Sequence, residues 1–291
     1  EKAVARIRCA LVSGETMVVY GDFDADGICG TAILVEGLAR LGGKMLSYFP
    51  HRVQEGYGLN TDSLDNLRTQ GVSLVITVDC GITNNAEVAY AQAHGLDVII
   101  TDHHNVMSGL PPALATVNPK RPDSSYPFGQ LAGVGVAFKL LQAVSRSLNK
   151  EAGLDEMLDL VAMGTVADKV PLLEENRYLV QKGLEVLRRT RRAGLRAMME
   201  TARLEPDYVD AESISWTMAP RLNAPGRLDH AITSYRLVMS TSSDEATQLA
   251  QLLEEKNQER QRLTEEFLAK AKAELSIAGT TQPFLMIGGG D

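Results

Sequence analysis

The sequence predicts an α/β fold: a parallel sheet with helices on both faces, followed by a helical second half. Between about residues 15 and 105, short apolar β-rich runs alternate with stretches of helical spacing. Strands separated by helices pair in parallel, because each connection must cross back over the sheet. Three of the apolar runs also end in carboxylate clusters, and the carboxyl ends of parallel strands are where such sheets bind ligands.

Taken in order, 17–20, 44–49, 74–78 and 98–101 read as buried strands, with helices expected over 30–41, 61–70 and 85–94. Pro111, Pro112, Pro119, Pro122 and Pro127 make 105–130 loop-rich. The chain then turns helical, over 136–148, 154–167, 177–188 and 194–201. An uninterrupted helical pattern over 243–275 begins with Asp244 and Glu245, and it is longer than a typical globular helix, which suits a connector. After Gly279, a β-like run over 282–287 stops at a glycine tract.

At 291 residues, 44% hydrophobic and 23% charged, the chain has the composition of a soluble globular protein, and no apolar run is long enough to span a bilayer. It begins at Glu1 without a signal-like segment and is expected to be a piece of a cytoplasmic protein. Cys9, Cys29 and Cys80 form no CxxC pair, which argues against disulfides and thiolate metal sites. A net charge of -8 argues against broad, charge-driven binding to duplex DNA, although two divalent cations would halve it. Arg188, Arg189, Arg191, Arg192 and Arg196 form a basic cluster suited either to a backbone-tracking groove or to a solvated helix face.

The chemistry lies in the carboxylates. Asp22, Asp24 and Asp26 follow the first apolar run, Asp79 the next such run and Asp102-His103-His104 the last, while Asp168 ends the apolar stretch 161–167. Buried carboxylates need compensating charge, and divalent cations supply it. Oxygen ligands favour Mg²⁺ and Mn²⁺, and an imidazole in the set tilts the choice toward Mn²⁺. Two cations about 3.5–4 Å apart, bridged by one carboxylate, would suit hydrolysis of a phosphodiester. In a strictly extended chain Asp22, Asp24 and Asp26 would share a side, with Gly27 turning the chain into a helix; a turn cluster with Asp26 as N-cap is the structural alternative.

These strings also carry a resemblance. YGDFDADG, VDCGIT, TDHH and GTVADKVPL, in this order, are similar to the motifs of the DHH phosphoesterase superfamily. HRVQEGYGL, LAGVGVAFK and APRLNAPGR resemble further signatures of its RecJ branch, the single-strand-specific 5′ to 3′ DNA exonucleases, and the match runs from about residue 15 to about 275. The resemblance implies two divalent cations, Mn²⁺ first and Mg²⁺ second, held by Asp24, Asp26, Asp79, His103 and Asp168. Asp24 and Asp26 would serve different ions, Asp79 would bridge them and Asp22 would assist. His104 would meet the substrate phosphate, and Asp102 would orient a ligand or bind metal itself. Arg221, Asn223 and Arg227, read as a Pro- and Gly-bounded loop, would clamp a phosphate, and His51 and Arg52 would contact nucleotide or backbone.

Further expectations follow. Gly133 and Gly135 would admit a phosphate or let helices approach; Tyr57 would stack on a base; Trp216 could do so too, with core packing preferred; His94, Lys169 and His230 would lie on the surface. The implied architecture is a catalytic domain over 1–242, a connector helix over 243–277, and over 278–291 the start of a largely absent C-terminal domain. The implied activity is release of 5′-mononucleotides from single-stranded DNA in repair and recombination by a monomer, with single-strand-binding protein and a helicase as partners and no membrane. The alternatives are hydrolysis of oligoribonucleotides or cyclic dinucleotides, or a non-catalytic replication scaffold; a calcium-stabilised binding protein is disfavoured by the histidines.

Overall fold

The structure, a computed structural model, describes residues 1–278 apart from 108 and 152. Five parallel strands, β1 (Thr16–Gly21), β2 (Lys44–Tyr48), β3 (Val72–Val78), β4 (Asp97–Thr101) and β5 (Ala115–Val117), form one sheet in the order β2-β1-β3-β4-β5. The chain runs outward from β1 to β2 and then returns to place β3 on the other side of β1. The crevice at the carboxyl ends of β1 and β3 is therefore the switch point of the sheet, where such folds bind ligands.

Alternation along the strands divides the packing. Val18, Tyr20, Val75, Val98 and Ile100 face a smaller core closed by α3 (Thr61–Thr69) and α4 (Asn85–Ala93). Met17, Val19, Leu74, Ile76 and Ile99 face the larger core, covered by α1 (Lys2–Ser13), α2 (Ala25–Arg40) and α5 (Gly133–Ser147). That core continues into the helical second half: α6 (Leu158–Ala167), entered through a 3₁₀ turn at Leu154–Met157, then α7 (Glu174–Leu187) and α8 (Ala193–Thr201). A π-helical turn at Ser213–Met218 leads into α9 (Ala219–Leu228), α10 (Ile232–Met239) and α11 (Ser243–Ala278). No described helix is long and apolar enough to cross a membrane.

Several expectations are corrected. The strand at 44–48 is a half-exposed sheet edge, because it has one neighbour and incomplete cover. The loop-rich segment hides β5, three residues long, and α1 lies ahead of the recognised motifs. The APRLNAPGR string is helix α9, not a loop: Pro220 occupies its first turn, where no N–H bond is lost, and only Pro225 lies in its interior. Trp216 is 79% exposed, not core. Ile214 and Met218, four apart, are the buried pair on this turn, and a residue midway between them faces away. The first part of α11 is docked rather than free-standing, since Ala246, Leu249, Ala250 and Leu253 enter the main core; Leu263, Phe267 and Leu268 are exposed. The β-like run 282–287 and the expected start of another domain lie outside the described residues.

Candidate metal centre

Each strand end at the crevice delivers its acidic group differently. After β1, the chain does not stay extended through Asp22, Asp24 and Asp26. Asp24, not Asp26, is the N-cap of α2, its carboxylate accepting from the Asp26 and Gly27 amides at 2.9 and 3.2 Å. Asp26 is buried in the first turn, and its two oxygens accept from the Gly133 and Val134 amides at 2.7 and 2.8 Å, at the start of α5. That helix N-terminus is thus occupied by Asp26, which removes Gly133 as a phosphate cradle.

Asp79, just past β3, adopts the left-handed conformation with φ 61°. Its amide donates to the Thr101 carbonyl at 3.0 Å and its carbonyl accepts from the Tyr57 hydroxyl at 2.9 Å. A Cβ on Gly133 would lie 2.7 Å from Asp79 Cβ, so a glycine is required where α5 starts beneath this carboxylate. Gly133→Ala is therefore expected to cost about 1–3 kcal/mol through overpacking and to weaken Mn²⁺ binding by displacing Asp79. Thermal unfolding together with a Mn²⁺ titration checks this; unaltered affinity would show that Asp79 tolerates the displacement.

After β4, Asp102 accepts from the Ile82, His103 and His104 amides at 2.9, 2.7 and 3.1 Å and contacts His104 Nδ1 at 2.8 Å. With both oxygens committed, it orients the histidines and is not available as a ligand. His103 Nε2 is 3.0 Å from Asp79, 3.5 Å from Asp168 and 3.9 Å from Asp26, and His104 Nδ1 is 3.8 Å from Asp79. Asp168 is the C-cap of α6.

Three overlapping ligand sets result: Asp22, Asp24 and Asp79; Asp26, His103 and Asp168; and Asp79, His103 and His104. Asp79 joins the first to the third. Burial, followed by repulsion from Asp24, pushes the Asp22 carboxyl up to about 7 and that of Asp168 up to about 6. Burial and neighbouring carboxylates raise Asp26 and Asp79 well above the ordinary range. Burial, with His104 second, lowers His103 to about 4, which keeps its ring neutral and able to act as a ligand. His104 is raised, chiefly by its bond to Asp102. For Asp102, burial pushes the carboxyl up, but the His104 and backbone hydrogen bonds outweigh it and the net shift is downward. One buried oxygen each on Asp22, Asp79 and Asp168, and Nε2 of His103, has no hydrogen-bond partner among the described residues. Unpaired acceptors converging among mutually repelling carboxylates fit divalent cations with oxygen and nitrogen ligands.

The other expected site residues divide. Arg221 Nε is held by Glu254 at 2.6 Å and its Nη1 by the Thr217 carbonyl at 2.7 Å, so a phosphate would have to displace Glu254. Asn223 Oδ1 accepts from the Ala25 amide at 2.7 Å, bracing the turn into α2, and a Cβ on Gly226 would lie 2.5 Å from the Phe23 carbonyl oxygen. In the structure, α9 thus supports the carboxylate loop, and of the three only Arg227 is exposed and without a side-chain partner among the described residues. His51 Nδ1 accepts from the Val53 and Gln54 amides at 3.3 and 3.4 Å, and Arg52 lies over the Phe23 ring at 4.9 Å. His94 is exposed, whereas His230 is half-buried beside His51. The basic cluster lies away from the carboxylates, by the last turns of α2. There Arg189, Arg191 and Arg192 line a cavity of about 610 Å³, and Arg192 pairs with Glu36 at 2.7 Å and Asp159 at 3.3 Å.

Residues missed in the sequence also converge here. Buried Asn118 donates to the His104 carbonyl at 2.9 Å and accepts from the Lys120 amide at 2.7 Å, and Lys120 lies near enough to lower His103 and Asp168. The Asn118-Pro119 pair signals a turn, but not its partner.

A family model described as the DHH family, N-terminal domain, matches residues 16–165. The single-stranded-DNA-specific exonuclease RecJ of Bacillus subtilis (strain 168) is 41% identical over 287 residues, covering 99% of this chain and 36% of that protein. A crystal structure of exonuclease RecJ bound to manganese superposes with a TM-score of 0.84 at 38% identity, covering 92% of this chain and 68% of that one. A crystal structure of RecJ from Thermus thermophilus in complex with Mn²⁺ gives 0.81 at 36% identity, covering 92% and 39%. The chain thus spans little more than a third of the length of the curated Bacillus relative.

Proposed function

The chain belongs to the DHH family, in its RecJ branch, and from that premise we propose that it hydrolyses single-stranded DNA from the 5′ end, releasing 5′-mononucleotides. The observation that carries the proposal is the trio of overlapping ligand sets joined through Asp79 and His103 at the switch point of the sheet. Asp22, Asp24, Asp26, Asp79, His103 and Asp168 are the residues we assign to two divalent cations, Mn²⁺ being the ion in the two related structures above and Mg²⁺ that in another RecJ structure. When bound, such ions supply the positive charge that acidifies an attacking water and neutralises phosphoryl oxygens.

The residues of the chain do the rest. Asp79 offers a hydrogen-bond acceptor at the centre of the cluster, on a backbone locked by Thr101 and Tyr57, so an incoming water is oriented without reorganisation. His104, held by Asp102 through Nδ1, has its other ring nitrogen without a partner among the described residues and able to donate to the phosphoryl group or to the departing 3′ oxygen, and the bond to Asp102 favours the protonated ring. Exposed Arg227 is the candidate phosphate contact. Such an enzyme consumes strands that a helicase exposes and a single-strand-binding protein coats, and we propose those partners together with a cytoplasmic location, consistent with three unpaired cysteines.

With Mn²⁺, early release of labelled mononucleotide is expected from a 5′-labelled single strand and not from a blunt duplex of the same sequence. Equal degradation of both would sink the single-strand assignment. Inertness toward both, with hydrolysis of a cyclic dinucleotide, would reassign the centre to small phosphodiesters.

A further inference from the structure

We infer that Trp216, with Lys169 beside it, forms a subsite for the single strand that the metal centre cuts: a stacking face for one base and a cation for the adjoining phosphate. The inference rests on the exonuclease reading above and extends it to how the strand is held. Trp216 is the chain's sole tryptophan, is 79% exposed, and makes no ring contact among the described residues. It projects from the π-helical turn Ser213–Met218, a conformation that is rare and often found at functional sites. Together with Lys169, Val170 and Leu172 it lines a cavity of about 260 Å³.

Continuity with the centre comes through the chain itself. Lys169 directly follows Asp168, whose Oδ2 lies 3.5 Å from His103 Nε2. Lys169 takes a left-handed conformation, φ 60°, an unfavourable one for a residue with a Cβ, and it makes no side-chain hydrogen bond or ion pair among the described residues. Lys169 and Trp216 line one cavity, so a strand that leaves the carboxylates through it is held by both. Glu212 lines the same cavity and repels phosphate, which directs the backbone to the Lys169 side. An aromatic face beside a free cation binds single strands of any sequence, because every base offers a π face and every linkage a charge.

The sole tryptophan is its own reporter. A phosphorothioate oligodeoxythymidylate is titrated into the protein with Mn²⁺, following indole emission and the anisotropy of the labelled strand together. Quenching that tracks the anisotropy is expected. Trp216→Ala should raise the dissociation constant about tenfold or more, Trp216→Phe should retain most of the affinity, and Lys169→Gln should weaken binding and flatten its salt dependence. Binding with unchanged emission, or with Trp216→Ala at full affinity, overturns the subsite while leaving the exonuclease reading intact. Emission that shifts with protein concentration and ignores the strand assigns this face to self-association and also overturns it. A wild-type protein that neither binds nor degrades strands but hydrolyses a cyclic dinucleotide overturns the exonuclease reading, and the subsite with it.

Discussion

Asp79→Asn is expected to reduce Mn²⁺-dependent strand hydrolysis by about three orders of magnitude or more while making the metal-free protein more stable. The activity loss follows from the position of Asp79 in two of the three ligand sets. Charge stabilisation by bound cations is worth several kcal/mol, and each 1.36 kcal/mol is a factor of ten in rate. The gain in stability follows from the cluster. Asp79 is buried, its Oδ1 lacks a hydrogen-bond partner, and Asp26, Asp24, Asp22 and Asp102 all push its carboxyl upward. An amide of the same shape removes that repulsion. Steady-state hydrolysis and thermal unfolding in chelator measure the two effects. Retained hydrolysis would remove Asp79 from the mechanism, and unchanged metal-free stability would show that the cluster is already relieved by protonation.

The second large effect is on pH. In chelator, stability is expected to fall as pH rises from about 4 to about 7. Asp22 and Asp168 have folded values of about 7 and about 6 against an ordinary 3.8, so the folded state binds protons that the unfolded state has released; their contribution is full below 3.8 and is lost through that window. Asp26, Asp79 and His104 are also raised and act in the same direction. His103 and His230 oppose them below about 6.5, because burial depresses both folded values, but they are two groups against five. Asp22 alone accounts for up to about 4 kcal/mol. Saturating Mn²⁺ should reverse the trend, since deprotonated ligands bind metal more tightly, and the gap between the two melting curves should widen with pH. A melting temperature in chelator that stays flat across this range would mean the carboxylates are not mutually buried.

The resemblance and the periodicity were legible together because both are local. The alternation of apolar runs with helical spacing located the central strands β1, β3 and β4 and the helices between them, and the acids fell at the carboxyl ends where a parallel sheet requires them. What was illegible depends on distant partners. Gly133 and Val134 hold Asp26 across more than a hundred residues of sequence, and Asn118 reaches back to the His104 carbonyl. The resemblance implies that Arg221 clamps a phosphate, while in the fold Glu254 on α11 holds its guanidinium. Trp216, a large ring expected in the core, is sent outward by the π-helical turn, which buries Ile214 and Met218 instead.

The sequence by itself determined the α/β alternation and which residue types can ligate a cation, since spacing and side-chain chemistry are properties of the chain. The tertiary structure alone decided which of those groups are shared, which are committed to hydrogen bonds and which are left without a partner. Asp102 and Asp79 are both acids past the end of a buried strand, yet Asp102 is saturated by three amides and an imidazole, whereas Asp79 keeps a bare buried oxygen among like charges. The difference between a positioning residue and a ligand is set by how many donors the fold brings within reach, and that number is written in the packing of β3, β4 and α5.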